Sequence, residues 1–242
     1  MMRTAVTLAY MLRTRKREYV VVSVGGSLIV PNELDTDFLA RFRELILRKV
    51  DEGLSFYIIT GGGRTARRYQ DAAVGARGDI SREDLDWLGI HSTRLNAHLF
   101  RALFMEQAQA RLVKNPSRHV GGRSPIIIGA GWKPGWSTDY CAVLAAKKLG
   151  AKKVVNLSNI DHVYDKDPRK FPDAVKIEKI GWPEFRTLIP EEWDPGLSAP
   201  FDPVAAREAQ AQDMEVAIIN GRNFAEFENY LDGKEFDGTV IS

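Results

Sequence analysis

Cysteine is almost missing from this chain. A single residue, Cys141, among 242 excludes an intrachain disulfide and a zinc site built from cysteines, and it favours a reducing, cytoplasmic setting. The 4 histidines show no metal-ligand spacing, so no side chain is assigned to a metal. Charge of one sign is not in excess either: 34 Lys and Arg face 32 Asp and Glu, for a formal net charge of +2. Composition therefore gives no reason to expect nucleic acid as a partner. Long apolar runs are lacking. The stretch Ala5 to Leu12 is interrupted by Thr7 and followed by Arg13, Arg15, Lys16 and Arg17 instead of a small-residue cleavage site. It is too short to span a bilayer and does not read as a signal peptide. Residues 1–17 are expected to form a basic extension, either solvated or folded as a short amphipathic helix, and no membrane partner is expected.

What the chain does have is a pair of glycine-rich turns, each directly after a predicted buried strand. Val20 to Val24 runs into Gly25-Gly26-Ser27, and Phe56 to Thr60 runs into Gly61-Gly62-Gly63-Arg64. Glycine lets main-chain N–H groups approach an anion without a Cβ in the way. A helix that starts after such a turn aims its positive dipole end at the same place. The first turn is neither a Walker A loop nor a dinucleotide fingerprint, because no Gly-Lys-Ser/Thr and no G-x-G-x-x-G follows. Taken alone it also reads as an ordinary tight turn. Two such turns in one small α/β chain suggest a protein that handles two phosphates, as a phosphotransferase must.

The rest of the chain repeats strand, turn and helix. Asp35 and Asp37 are candidate caps for a helix carrying Phe38, Leu39, Phe42, Leu45, Ile46 and Val50 at helical spacing. Ser81, with Asp84 three residues on, opens a long helix whose apolar positions include Leu85, Leu88, Leu95, Leu99 and Leu103. Ile126 to Ile128, Val154 to Leu157 and Val216 to Ile219 read as inner strands, with a helix from Thr138 to Leu149 and short helices near 183–189 and 203–212. Residues 158–173 read as irregular, and Thr239 to Ile241 as an edge strand. This alternation predicts an α/β fold: a three-layer α/β/α sandwich around a mostly parallel sheet. Ligands then belong at the carboxyl ends of the strands.

Four segments there can carry chemistry. Gly25, Gly26 and Ser27 offer donors to a phosphate. Gly62 and Gly63 are followed by Arg64 and Arg67, which share a helix side and could fork onto a phosphate. Trp132 to Asp139 contains Lys133 and ends in Ser137 or Thr138 as a helix cap. Asp139 is then either a first-turn acid favoured by the dipole or a carboxylate that orients a cation. Asn156 to Lys170 is a loop dense in donors and acceptors, with Tyr164 able to cover a purine.

The ordered set Gly-Gly-Ser, Gly-Gly-Gly, Ser-Thr-Asp and Ser-Asn-Ile-Asp…Val-Tyr…Asp-Pro resembles the amino-acid kinase superfamily. Within it the chain looks most like the archaeal-like uridylate (UMP) kinases. The resemblance covers roughly residues 18–222, with Asp86 to Ile90, Thr93 to Ala97 and 137–168 as its most specific parts. It implies transfer of the γ-phosphoryl group of ATP to UMP, with Mg2+ held mainly by the nucleotide phosphates. It assigns Gly25, Gly26 and Ser27 to the transferring phosphoryl group. Gly62, Gly63 and Arg67 would hold the acceptor phosphate, Asp86 the acceptor ribose, and Thr138 the acceptor nucleotide. Asp139 would organise the cations, and Asn159, Tyr164 and Asp167 would form the ATP pocket. It further implies an acceptor lobe (18–132), a donor lobe (133–242) and a homo-oligomer, usually a hexamer. Two departures stand out. Ser23 occupies a position where most members carry lysine, and 199–203 lacks a lysine common in relatives. Lys133 is the candidate compensating cation. A sibling kinase with another small acid or phosphate as acceptor, or an inactive nucleotide-binding regulator, are the rival readings.

Overall fold

The computed structural model describes residues 17–118, 124–192 and 199–242. The expected basic extension thus lies outside the described residues except for Arg17. The apolar runs become strands where anticipated: β1 (Val20–Val24), β2 (Phe56–Thr60), β3 (Ile126–Gly129), β4 (Lys153–Ser158) and β8 (Glu215–Asn220). Two short strands, β5 (Val163–Tyr164) and β6 (Lys176–Ile177), form a separate antiparallel pair. This pair gives regular structure to part of a segment expected to be irregular: Val163 is buried, and Asp165 N donates to Val175 O at 3.2 Å across the two chain segments. β7 (Lys179–Ile180) and β9 (Thr239–Ile241) complete a seven-stranded sheet of order β3-β2-β1-β4-β8-β9-β7. β9 is therefore not an edge strand. It lies antiparallel to β8 and parallel to β7, which takes the edge.

The helices are α1 (Gly26–Ile29), α2 (Thr36–Asp51), α3 (Gly63–Arg77), α4 (Arg82–Leu103), α5 (Thr138–Leu149), α6 (Trp182–Phe185), α7 (Pro203–Ala211) and α8 (Phe224–Leu231). Side-chain oxygens cap three of the long ones. Asp35 accepts from Phe38 N, Ser81 from Asp84 N and Ser137 from Tyr140 N, satisfying N–H groups that have no partner inside the helix. Alternate strand residues feed two cores. Tyr57, Ile59, Val154 and Val216 pack with α5 and α7, while Phe56, Ile58, Val155 and Ala217 pack with α2, α4 and α8. The result is the expected three-layer sandwich.

The long helix α4 meets the sheet along part of the leucine pattern, with Leu99 and Leu103 packed partly buried against the core. Its buried stripe is Ile90, Thr93, Ala97 and Phe100, whereas Leu95 is 63% exposed. Spacing thus located part of the apolar face, and Leu95 lies off the side that meets the sheet. α3 buries none of its side chains, and Tyr69 and Val74 stand exposed on it. Among the described residues no helix is long and apolar enough to cross a membrane.

Candidate active site

The carboxyl ends of β1, β2, β3 and β4 lie at one edge of the sheet, because these strands are mutually parallel. Val24 stands opposite Thr60 in register, so the two glycine turns emerge side by side. They interlock. A Cβ on Gly26 would overlap the amide nitrogen of Gly63 and reach 2.7 Å from Gly61 C and Gly62 N. A Cβ on Gly63, whose φ is +63°, would overlap the carbonyl of Gly26. What approaches these glycines most closely is therefore the other turn, in addition to any ligand. The backbone contacts also decide which amides remain. Gly25 N donates to Leu157 O at 2.8 Å and Gly61 N to Val24 O at 2.9 Å. Gly26 and Ser27 begin α1, and Gly63 begins α3, so their N–H groups are first-turn donors without an intrahelical partner.

Just beyond, Arg64 and Arg67 are exposed, and among the described residues neither pairs with a carboxylate. Arg68 is bound to Glu33 at 2.9 Å. Two unpaired guanidinium groups next to first-turn amides make this corner strongly attractive to an anion.

Helix α4 is the strut that holds the two halves of the edge together. Its buried Asn96 donates to Gly61 O at 2.7 Å, and Thr93 O accepts from Thr60 Oγ1 at 3.0 Å. On the other side Thr93 Oγ1 accepts from Gly131 N at 2.8 Å, and Arg94 donates to Trp132 O at 2.8 Å. Asp86 Oδ2 accepts from Gly135 N at 2.7 Å. The loop from 130 to 137 is thus pinned at several points. On it Lys133 is exposed, with its Nζ 4.8 Å and 4.5 Å from the ring centroids of Trp132 and Trp136. The ammonium rests on two indoles, a cation–π arrangement, and among the described residues it has no carboxylate partner.

α5 brings Asp139 to the centre. Ser23, only 1% exposed, donates its hydroxyl to Asp139 Oδ1 at 2.9 Å. The position at which the resemblance leads one to expect lysine thus gives this carboxylate a neutral donor. Asp202, buried at the start of α7, accepts from Ala205 N at 2.6 Å and from the Ser137 hydroxyl. Its own backbone N–H donates to Asp139. Burial, and then the neighbouring charge of Asp202, push the Asp139 carboxyl up to about 7. Burial raises Asp202 as well. Among the described residues no lysine or arginine forms an ion pair with either acid, and no group of three or more His, Cys, Asp or Glu could hold a metal by itself. Two crowded carboxylates that lack a cation are electrostatically incomplete.

The remaining predicted residues share the loop after β4. Asn159 is exposed, its Oδ1 3.5 Å from Ser158 Oγ. Tyr164 donates its hydroxyl to Asp161 Oδ1 at 3.0 Å, and Asp167 accepts from Arg169 N and Nε, each at 3.0 Å. Thr138 is the first residue of α5, next to Asp139.

Sequence comparison assigns the scaffold. The pattern of the amino acid kinase family matches residues 18–220. This chain belongs to the amino acid kinase family. It is 32% identical to the uridylate kinase of Pyrococcus abyssi over 225 residues, spanning 92% of this chain and 98% of that one. It is 33% identical to the uridylate kinase of Methanosarcina barkeri, spanning 92% and 95%. Among solved structures it is similar to the uridylate kinase of Archaeoglobus fulgidus, with TM-score 0.77, 25% identity, and 93% and 100% of the two chains covered. A UMP kinase from Bacillus anthracis shares the fold at TM-score 0.75 and 19% identity, over 94% and 97% of the two chains.

For this kinase-family member, residue chemistry alone did not single out Ser23, Asn96 or Asp202 as contributors. In the sequence Ser23 and Asp202 are only positions where lysine is absent, and Asn96 is one residue of a similar segment. A buried polar residue in an apolar strand, as Ser23 is, was the available signal.

Proposed function

We propose that this chain is a UMP kinase, transferring the γ-phosphoryl group of ATP to UMP. An acceptor phosphate oxygen attacks the γ-phosphorus, the bond to the β-phosphate oxygen breaks, and ADP leaves with the electron pair. The observation that carries this reading is the nearly full-length similarity to archaeal uridylate kinases. In this reading the parts divide as follows. Gly62, Gly63 and Arg67 hold the acceptor phosphate, with Asp86 and Thr138 on the acceptor nucleotide. Gly26 and Ser27, on a turn shaped by Gly25, meet the transferring group. Asn159, Tyr164 and Asp167 belong to the ATP pocket, in a donor lobe (133–242) facing an acceptor lobe (18–132). Positioning and charge neutralisation carry such a transfer.

The carboxylate pair Asp139 and Asp202 fits Mg2+, which prefers hard oxygen ligands and takes the rest from phosphates and water. Bound there with ATP, the ion would neutralise charge on the phosphates. Asp139 would orient it, and Ser23 would hold Asp139 in place. Exposed Tyr69, Val74 and Leu95, on the adjacent helices α3 and α4, support self-association into a homo-oligomer. The enzyme would work in the cytoplasm.

The reading is tested by ADP release with ATP, Mg2+ and a panel of acceptors: UMP, CMP, acetylglutamate and isopentenyl phosphate. UMP is expected to be preferred, and a clear preference for another acceptor overturns the assignment. In the same assay Arg67→Ala is expected to raise KM for UMP about 10- to 150-fold, the scale of one charge-assisted contact, with KM for ATP nearly unchanged. Lys133→Met is expected to lower kcat by about 10²- to 10³-fold with both affinities kept, the scale of losing one donor to developing charge. Unchanged kcat would leave Lys133 as a partner of the two indoles only.

A further inference from the structure

One buried ionisable group is not used by this mechanism. The side chain of His162 is 2% exposed and lies between two carboxylates. Its Nε2 is 3.4 Å from Asp237 Oδ1, and its Nδ1 is 3.6 Å from Asp161 Oδ2 and has no hydrogen-bond partner. A neutral imidazole has one donor nitrogen and one acceptor nitrogen. Between two carboxylates, whichever nitrogen lacks the proton sets its lone pair against an anionic oxygen. Neither contact is a hydrogen bond as it stands, and on closer approach only an imidazolium could donate to both.

The surrounding charges point the same way. Lys176 Nζ, from β6, lies 3.0 Å from Asp161 Oδ2 and 3.9 Å from Asp237 Oδ1. Tyr164, whose ring centroid is 6.4 Å from that of His162, donates to Asp161. Burial alone would raise the Asp161 carboxyl, but the bonds from Lys176 and Tyr164 outweigh it and hold it at about 2, so this acid is ionised throughout the neutral range. With both acids ionised, Asp161, Asp237 and Lys176 sum to one negative charge. The buried ring thus lies beside one uncompensated negative charge.

The two carboxylates also lie on different pieces of the structure. Asp161 and His162 belong to the loop after β4, and Asp237 comes just before β9. Val163 N already donates to Thr239 Oγ1 at 2.9 Å across the same junction. We propose that His162 is a proton-operated latch that fastens the donor-nucleotide loop to the C-terminal strand β9. Closing it draws Asp161, and with it Tyr164, onto the frame of the sheet, so the protonated protein binds ATP more tightly. The link to ATP rests on the donor-loop assignment proposed above, whereas the latch itself does not.

The experiment uses the full chain and two readouts between about pH 5.5 and pH 8, the range in which histidine changes charge. The first is hydrogen exchange of segments 160–165 and 237–241, corrected for intrinsic rates. Protection is expected to fall with rising pH in wild type, and to be nearly independent of pH in His162→Gln. The second is the Kd of ATP with Mg2+ by calorimetry, without acceptor. It is expected to weaken about fivefold with rising pH in wild type, at the low end of coupling between linked sites. ATP phosphates and Asp139 also titrate in this range, so the diagnostic is the difference between wild type and His162→Gln. Asp237→Asn, an exposed partner whose change spares the buried ring, is expected to lose most of the same pH dependence while keeping the melting temperature. Exchange that responds to pH equally in all three proteins overturns the latch. If exchange responds as expected but ATP does not bind at any pH, the donor-loop assignment fails and the latch stands.

Discussion

Asp139→Asn is expected to melt several degrees higher than wild type at about pH 8 and to turn over at least about 10²-fold more slowly. Both effects come from one environment. In the unfolded chain an aspartate titrates at about 3.9, whereas burial and the charge of Asp202 bring Asp139 to about 7 in the folded chain. The folded state therefore binds more protons than the unfolded state between these values. The stability associated with protonated Asp139 is fully present below about pH 4, declines as pH rises, and is lost above about pH 7. The penalty above that window is on the order of 2–4 kcal/mol, and each kcal/mol moves a chain of this size by about 2–4 °C. Asparagine keeps an acceptor for the Ser23 hydroxyl and the Asp202 amide but carries no charge. Its advantage should thus vanish near about pH 4, which thermal melts across pH would reveal. An acid favoured only by the helix dipole predicts the opposite sign, a loss of about 0.3–1 kcal/mol on removal. Saturating Mg2+ with ATP should restore wild type toward the variant, since a bound cation relieves the same repulsion.

The largest loss of folded protein is expected from Gly26→Ala. The added methyl would overlap the amide of Gly63 and press on Gly61 and Gly62, which are backbone atoms and cannot move to another rotamer. Separating the turns would strain the hydrogen bonds from Gly61 N to Val24 O and from Arg64 N to Val30 O. A cost of about 4 kcal/mol or more places this substitution among the exceptional destabilisations. The internal control is Gly75→Ala. Gly75 lies inside α3 with nothing within 4 Å of its would-be Cβ, so alanine there should stabilise by about 0.5–1 kcal/mol. Urea midpoints of the two variants should move in opposite directions. Equal midpoints would mean that the turns are not interlocked.

β1 and β2 were legible to the residue, because each is a compact run of mostly apolar residues closed by glycine, a pattern that depends on near neighbours alone. The cap Ser81 was legible in the same way, whereas sequence left Asp35 or Asp37 and Ser137 or Thr138 as alternatives that the structure decided for Asp35 and Ser137. The ordered motifs sufficed for the family. Strand order was beyond reach: a short apolar segment such as Thr239 to Ile241 carries no mark of how many neighbours it will have, and pairing with both β8 and β7 placed it inside the sheet. Leu95 lay on a genuine apolar spacing, yet the sheet chose the stripe through Thr93 and Ala97.

The candidate site divides along the same line. The glycines, Arg67 and Asp139 could be nominated from sequence because each stands in a short motif of residue types suited to phosphate or cation binding. Ser23, Asp139 and Asp202 are brought together only by the fold, and the hydrogen bond that joins the first two links positions 116 apart in the chain. Their burial, and with it the proton affinity of Asp139, comes from the layers that exclude water around them. His162 is one more polar residue in a loop until β6 and the approach to β9 put a carboxylate on each side of it. Local propensity and residue chemistry are properties of the chain. Desolvation and the company of distant charges exist only once it has folded.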